Sequence, residues 1–301
     1  RRVRQMNRDG NFKSGSVAII GAPNVGKSTL LNFLLGQKVA IVSDKPQTTR
    51  NKILGVIHRP QAEIVLVDTP GIHHPRFQLN RRIVRVAKHA LDEVDCVFFM
   101  IEARTHAGRQ DCFIIDLLKE HPLPVILLIN KIDLVKKTRL LPLIDECRKL
   151  FAWVDVIPIS AKNGDNVDCL IDAASEMLPQ GQAQHAQFES INQSPQFLAA
   201  ELIREKLLAK TYEELPYSVA VTVEEFSEEG GLITIQAVIL VERQNQKAIV
   251  IGRKGLMLKA IGSEARQDME HLFGKKVFLS LLVKVEEAWR NDDNKLLELG
   301  Y

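Results

Sequence analysis

Gly21-Ala22-Pro23-Asn24-Val25-Gly26-Lys27-Ser28, with Thr29 directly behind it, carries the strongest local signal in the chain. It fits the spacing G-x-x-x-x-G-K-[ST], in which backbone N–H groups close around phosphate oxygens. The flanks agree with that reading. Residues 16–20 (Ser-Val-Ala-Ile-Ile) form a short apolar run of the kind that makes a buried strand, and residues 28–35 read as the helix leaving the loop. Gly21 and Gly26 let the chain turn its amides inward, with the positive end of the helix behind them. Lys27 is placed to reach the β- and γ-phosphates of a nucleotide, and the Ser28 hydroxyl to bind Mg²⁺. An ordinary glycine-rich turn explains two glycines but not the strand, loop and helix in this order.

The chain around this loop has 301 residues, enough for two domains. Its apolar share of 46% and charged share of 26% are those of globular proteins. A net charge of +3 gives no global argument for nucleic-acid binding, so any such site has to come from local clustering. Cys96, Cys112, Cys147 and Cys169 show neither C-x-x-C nor zinc-finger spacing and fit reduced thiols in a cytosolic protein. Residues 1–15 lack the apolar core of a secretory signal, and no run of about 18 apolar residues occurs. A cytoplasmic protein, with room for a peripheral contact at the inner membrane face, is the expectation. Met6 offers a natural start, with residues 1–5 upstream of it.

Downstream, strands and helices alternate. The segment 39–50 is polar and reads as a loop, and residues 52–57 and 63–67 form a hairpin over the turn formers 58–61. A basic helix is expected at 81–91, a buried strand at 96–101, and a helix at 110–119 with Phe113, Ile114, Leu117 and Leu118 facing the core. Residues 124–129 are a continuous apolar run, as in a strand covered on both faces. A helix near 140–150, a strand at 154–159 and a helix at 167–178 complete an α/β, doubly wound, mostly parallel sheet. The segment 179–195, rich in Gln, Ser and His, reads as a linker. The boundaries are a tail 1–13, a nucleotide-binding domain 14–179, a linker 180–195 and a small α+β domain 196–301.

In such a sheet ligands lie beyond the carboxyl ends of the strands, so motifs at successive strand ends face one site. Asp68-Thr69-Pro70-Gly71 ends the second hairpin strand. Its carboxylate suits a Mg²⁺-bound water, and the Gly71 N–H suits a γ-phosphate, an interaction that hydrolysis removes. Asn130, Lys131 and Asp133 follow the apolar strand. A guanine edge presents N1–H and N2–H₂, which one carboxylate can accept together, so Asp133 selects guanine over adenine. Ser160-Ala161-Lys162 can add a backbone N–H to guanine O6.

The second domain reads helix, strand, strand, helix, loop, helix, strand. Its loop is Ile251-Gly252-Arg253-Lys254-Gly255, before a helix with Leu258, Ile261, Ala265, Met269 and Leu272 on its core face. G-x-x-G between two helices is the device of type II KH modules in this element order: it approaches a single-stranded nucleic-acid backbone closely, here with two cations.

With these motifs in place, residues 14–179 resemble the translation-factor-related GTPases. The resemblance implies GTP/GDP and Mg²⁺ as ligands, with Thr49 (Thr48 less favoured) as the switch threonine joining Ser28 and Asp68 on the metal. Lys27, Thr49, Gly71 and Asn24 are then the residues of the catalytic step. Ile72 departs from the pattern: it stands where related enzymes carry a water-orienting Gln, which implies slow intrinsic hydrolysis. Asn24 implies K⁺ as a further ligand, against the plainer reading of a residue that tolerates an unusual backbone.

The combination of the segments 45–50 (Lys-Pro-Gln-Thr-Thr-Arg), 68–72, 251–255, 264–266 and 285–290 resembles the Era-type GTPases over nearly the whole chain. That resemblance implies a monomer that binds single-stranded rRNA, namely the 3′ end of 16S rRNA, during assembly of the 30S ribosomal subunit, binds no DNA, and associates loosely with the inner membrane. Two other readings compete: a membrane-surface GTPase docking a protein partner, and a metabolic GTPase in which His73 and His74 act as acid and base. The second lacks any further catalytic constellation.

Overall fold

The structure, a computed structural model, describes residues 12–45, 48–72, 78–104, 106–185, 193–299 and 301. They fall into two compact units: 12–36, 52–72, 87–104 and 106–185 in one, and 37–45, 48–51, 78–86, 193–299 and 301 in the other. His73 and His74 lie outside the described residues.

The first unit contains β1 (Lys13–Gly21), α1 (Lys27–Leu35), β2 (Ile53–Arg59), β3 (Ala62–Asp68), β4 (Cys96–Glu102), α3 (Arg109–Leu118, after α2 at Gln78–Asp92), β5 (Val125–Asn130), α4 (Leu140–Arg148), β6 (Asp155–Pro158) and α5 (Val167–Met177). The sheet order is β2-β3-β1-β4-β5-β6, parallel except for the β2–β3 hairpin. β1 pairs β3 on one side and β4 on the other, so the chain reverses its direction across the sheet at the carboxyl end of β1. That reversal leaves a crevice there for a ligand.

β4 and β5 explain themselves. Phe98, Phe99, Met100, Ile126, Leu127, Leu128 and Ile129 are fully buried, which is why these runs do not alternate with polar residues. One core expectation is corrected. Phe113 on α3 is 36% exposed, while Ile115 is buried with Ile114 and Leu118. A helix stripe repeats at i, i+1 and i+4, so the pair 114–115 with 118 leaves the bulkier residue at 113 outside.

The linker starts under restraint. Gln180 bridges to Lys13, and the Ser14 and Gly181 amides donate to the carbonyls of Pro179 and Phe12. The Glu63 carboxylate, wholly buried, accepts from the Gln184 and His185 amides at 2.8 and 3.2 Å. Burial alone pushes this carboxyl up, yet these amides and the His185 ring bring it below its ordinary value. The net sign means that it stabilises the fold above the ordinary carboxylate range and loses that contribution as pH falls.

The second unit adds α6 (Pro195–Lys210), β7 (Ala220–Glu229), β8 (Leu232–Val241), α7 (Gln244–Ile251), α8 (Leu256–Phe273), β9 (Lys276–Val285) and α9 (Asp293–Glu298). Ser194 caps α6, its hydroxyl accepting from the Phe197 amide at 3.1 Å, and Pro195 supplies the first helical residue. β8 is central: antiparallel to β7, parallel to β9. Ile261, Ala265 and Met269 of α8 are fully buried, with Leu258 and Leu272 packed at the margin. Gly262 interrupts no turn of α8; a Cβ there would meet the Leu281 side chain at 3.3 Å, so its smallness serves close packing on β9.

A C-terminal element absent from the sequence reading completes this unit. Asp292 accepts from the Asn294 and Lys295 amides and caps α9. Trp289 and Leu296, both fully buried, pack with Leu79, Ala220, Val238 and Leu240. The Trp289 indole N–H donates to the Ser218 carbonyl at 3.1 Å. Trp289→Ala should cost about 3–5 kcal/mol through transfer loss and cavity. Urea unfolding checks this value, and a cost below about 1 kcal/mol would mean that the C-terminal cluster collapses without penalty.

Candidate nucleotide and RNA sites

The loop from Gly21 to Ser28 leaves β1 at the sheet's reversal point and enters α1. A Cβ on Gly21 would lie 2.3 Å from the Met100 carbonyl oxygen, and one on Gly26 would lie 2.2 Å from Asn130 Nδ2. Neither position has room for a side chain. Asn24 sits at φ +65°, a left-handed conformation that Asn tolerates better than most residues. The plainer reading of Asn24 therefore has a backbone basis.

Lys27 is buried, and its ammonium donates to the Gly21 and Ala22 carbonyls at 3.2 and 3.0 Å. Burial lowers its pKa to about 8, with the Asp68 charge pulling the other way. A cation held at such desolvation cost is suited to polyphosphate, whose charge compensates it. Ser28 Oγ donates to Asp68 Oδ2 at 2.8 Å. The hydroxyl and carboxylate form a hard oxygen pair suited to Mg²⁺. Thr29 follows in the first turn of α1.

Asp68 is fully buried at the end of β3, and Thr69 Oγ1 donates to the Ile19 carbonyl at 2.9 Å, tying this loop to β1. After Pro70, a Cβ on Gly71 would lie 3.0 Å from Pro23, so Gly71 packs directly on the first loop. The Ile72 amide donates to the Gly21 carbonyl at 3.3 Å and its side chain is fully buried. A buried aliphatic group cannot orient a water.

Asn130 carries a role that the sequence reading missed. Its Nδ2 donates to the Val25 carbonyl at 2.7 Å, and its Oδ1 accepts from the Ala161 amide at 2.9 Å. One side chain thus staples the phosphate loop to the loop after β6. The signal was Gly26 itself, whose missing side chain makes the space, but no spacing rule links residues 26 and 130. Ser160 Oγ donates to Asp133 Oδ1 at 2.7 Å and steadies that exposed carboxylate. Lys131 takes φ +68° and its ammonium lies 3.5 Å from Glu102. Lys162, exposed, follows Ala161.

Thr48 and Thr49 stand outside this constellation's own unit. They belong to the segment 37–51, which counts with the second unit. There Arg204 donates to the Thr48 carbonyl, and the Arg50 guanidinium donates to the Val219 and Pro216 carbonyls at 2.7 and 3.3 Å.

In the second unit Ile251 ends α7 and Gly252 turns the chain at φ +71°, where a Cβ would lie 2.6 Å from that of Met257. Lys254 and Gly255 are both left-handed, at φ +53° and +74°, and Arg253 and Lys254 are exposed. Gly255 faces open space, so its requirement is conformational.

Comparison with known proteins agrees with both halves. Residues 16–131 match a family described as 50S ribosome-binding GTPase, and residues 214–290 match the KH domain family. The chain is 49% identical to GTPase Era of Geobacter metallireducens, the match covering 97% of this chain and 99% of the relative. The chain belongs to the Era family of GTPases. Era of Ruminiclostridium cellulolyticum is 48% identical over 97% of this chain and 98% of its own. Two solved Era structures match with a TM-score of 0.93 and 41% identity, over 96% of this chain and 99% of theirs. One is a single-substitution variant of Aquifex aeolicus Era bound to GDP and AlF4⁻; the other is Era in complex with MgGDPNP and nucleotides 1506–1542 of 16S ribosomal RNA. As an Era-family member the chain is a GTPase using GTP/GDP and Mg²⁺, with a P-loop domain followed by a KH domain.

Proposed function

We propose that this GTPase is a nucleotide-controlled switch that binds the 3′ end region of 16S rRNA through its KH domain and acts in 30S subunit assembly. The observation that carries the reading is the 41% identical Era structure holding both MgGDPNP and a 16S rRNA segment, matched here over 96% of the chain. The nucleotide-binding domain is assigned to 14–179, the linker to 180–195 and the KH domain to 196–301.

The inward-facing amides of residues 21–29 and Lys27 hold the phosphates. Ser28 and Asp68 would hold Mg²⁺, which would supply charge neutralisation at the phosphates; Thr49 is the switch threonine that the resemblance implies, and it counts with the other unit. Gly71 reports the γ-phosphate through its N–H. Asp133 reads guanine, with Asn130 fixing the loops and the 160–162 backbone serving O6. Ile72 leaves the water unoriented, so intrinsic turnover is slow. K⁺ beside Asn24 is the remedy that the resemblance suggests. Residues 251–255 hold the RNA backbone, with Arg253 and Lys254 giving the charge.

Among the described residues no helix is long and apolar enough to cross a membrane. We assign the protein to the cytoplasm, with peripheral contact at the inner membrane face.

The test is RNA affinity against nucleotide state and loop integrity. Binding of the 1506–1542 RNA should differ between GTP analogue and GDP. Gly255→Asp, which puts a charged side chain into a left-handed position, should weaken binding at least tenfold. Equal binding in all three cases, measured by filter retention, contradicts the reading.

A further inference from the structure

Beside the Gly252–Gly255 loop the second unit holds a groove of about 680 Å³, within the range of small-ligand sites. Its walls come from the end of α6, from Tyr212 just beyond it, and from the loop and the start of α8. Tyr212 is 72% exposed and Leu256 is 64% exposed, an unusual amount of bare apolar surface for two neighbours in one groove. Met257 and Ala260 continue the wall, and Lys210 and Arg253 bring positive charge to it. Lys210 is held by Glu264 at 2.6 Å, whereas Arg253 is on the open loop.

The aromatic ring is not left to swing. The Lys45 ammonium donates to the carbonyl of Leu208, in the last turn of α6, and to that of Thr211, just beyond the helix, and lies 4.7 Å from the centroid of the Tyr212 ring. A cation over one face of the ring fixes its orientation at the cost of one lysine. The 72% exposure is what remains with Lys45 in place, so a planar partner still has access.

We propose that Tyr212 is a stacking platform for an RNA base, on the α6 side of the glycine-rich loop, extending the strand that this loop holds by the backbone. The inference rests on the RNA-binding reading given above and adds a contact to a part of the unit that the G-x-x-G motif does not include. Three features select a nucleic-acid strand as the occupant. Gly252 and Arg253 belong to both the loop and the groove, so a strand leaving the loop enters the groove without a gap. The rim charge matches phosphate. The floor offers a flat ring and aliphatic carbons, which suit a base of any identity, as on single-strand binding surfaces.

The experiment uses the full chain with GTP analogue and a fluorescently labelled RNA of nucleotides 1506–1542, followed by anisotropy. Tyr212→Ala should weaken binding about 5- to 100-fold, the range for removal of one aromatic stacking partner. Tyr212→Phe keeps the ring and should remain within about twofold of the parent. The slope of log affinity against log salt should stay unchanged in Tyr212→Ala, since every phosphate contact is kept. Melting curves confirm the fold, which an exposed position should not disturb. Gly255→Asp serves as the second arm. If Gly255→Asp weakens binding while Tyr212→Ala binds like the parent, the platform is overturned and the RNA reading stands; if neither changes, both fall. Equal losses in Tyr212→Ala and Tyr212→Phe also overturn it, because the hydroxyl rather than the ring would then carry the contact. So does unchanged RNA affinity with reduced retention of Tyr212→Ala on phosphatidylglycerol vesicles, which would make the groove a lipid surface.

Discussion

Asp133→Asn is expected to lower GTP affinity by about 10³-fold or more, and to confer binding of xanthosine triphosphate. A carboxylate accepts both N1–H and N2–H₂ of guanine. An amide can accept only one of them, and presents a donor against the other, leaving polar groups unpaired in the complex. Xanthine replaces the exocyclic amine by an oxygen, which that donor satisfies. Ser160 Oγ, which now donates to Asp133 Oδ1, can donate equally to the amide oxygen, so the loop itself should survive. Competition against a fluorescent guanine nucleotide measures the effect. A loss under about tenfold, or no gain toward xanthine, would remove Asp133 from the base-reading role.

Lys27→Ala should reduce kcat by about 10²–10³-fold, the usual effect of removing one preorganised donor from a developing charge. The same lysine makes a pH prediction with a definite sign. In the free protein burial holds its pKa at about 8, against an ordinary 10.5. Bound polyphosphate favours the charged form and raises that pKa. Below about pH 8 the lysine is already protonated and nucleotide binding takes up nothing there. Above it, binding must draw in a proton, so affinity falls as pH rises. Calorimetry in two buffers of different ionisation heat should show proton uptake at about pH 8.5 in the parent and none in Lys27→Ala. Parent and variant behaving alike at that pH would contradict the assignment. For folding the sign is the reverse: the unfolded chain holds this proton up to about 10.5, so this group makes the native state less stable at pH values between about 8 and 10.5 than at higher pH, where neither state carries the proton, and the penalty is largest below about 8.

The sequence could place the loops of the candidate nucleotide site together because each motif ends a strand, and parallel strands bring their carboxyl ends to one edge. Residues 21–28, 68–71, 130–133 and 160–162 needed only the alternation of apolar runs and helices to be placed together. The loop at 251–255 was legible for the same reason, since the flanking helices announce themselves by period. What escaped has a different physical origin. Asn130 bonding Val25 and Ala161 is a contact between residues 105 and 31 positions apart, set by the register of β1, β4 and β5. Phe113 was misplaced because 113, 114, 117 and 118 are themselves spaced as a helical stripe; the buried face is centred further round, taking in Ile115 and leaving 113 at its edge. The C-terminal cluster around Trp289 went unread because α9 has six residues and little periodicity; Asp292 as a cap was its single local signal. The Tyr212 platform depends on Lys45, far away in sequence, so no local pattern could show that the ring is held.

Guanine-specific binding in the presence of Mg²⁺ is what separates this arrangement of loops from an ordinary glycine-rich crevice. Titration of the purified chain by calorimetry should give saturable heat with GDP and with GTP, and ATP in large excess should leave the GTP isotherm unchanged. No heat from either guanine nucleotide, or ATP competing on equal terms, would mean that these loops do not form a guanine-nucleotide site.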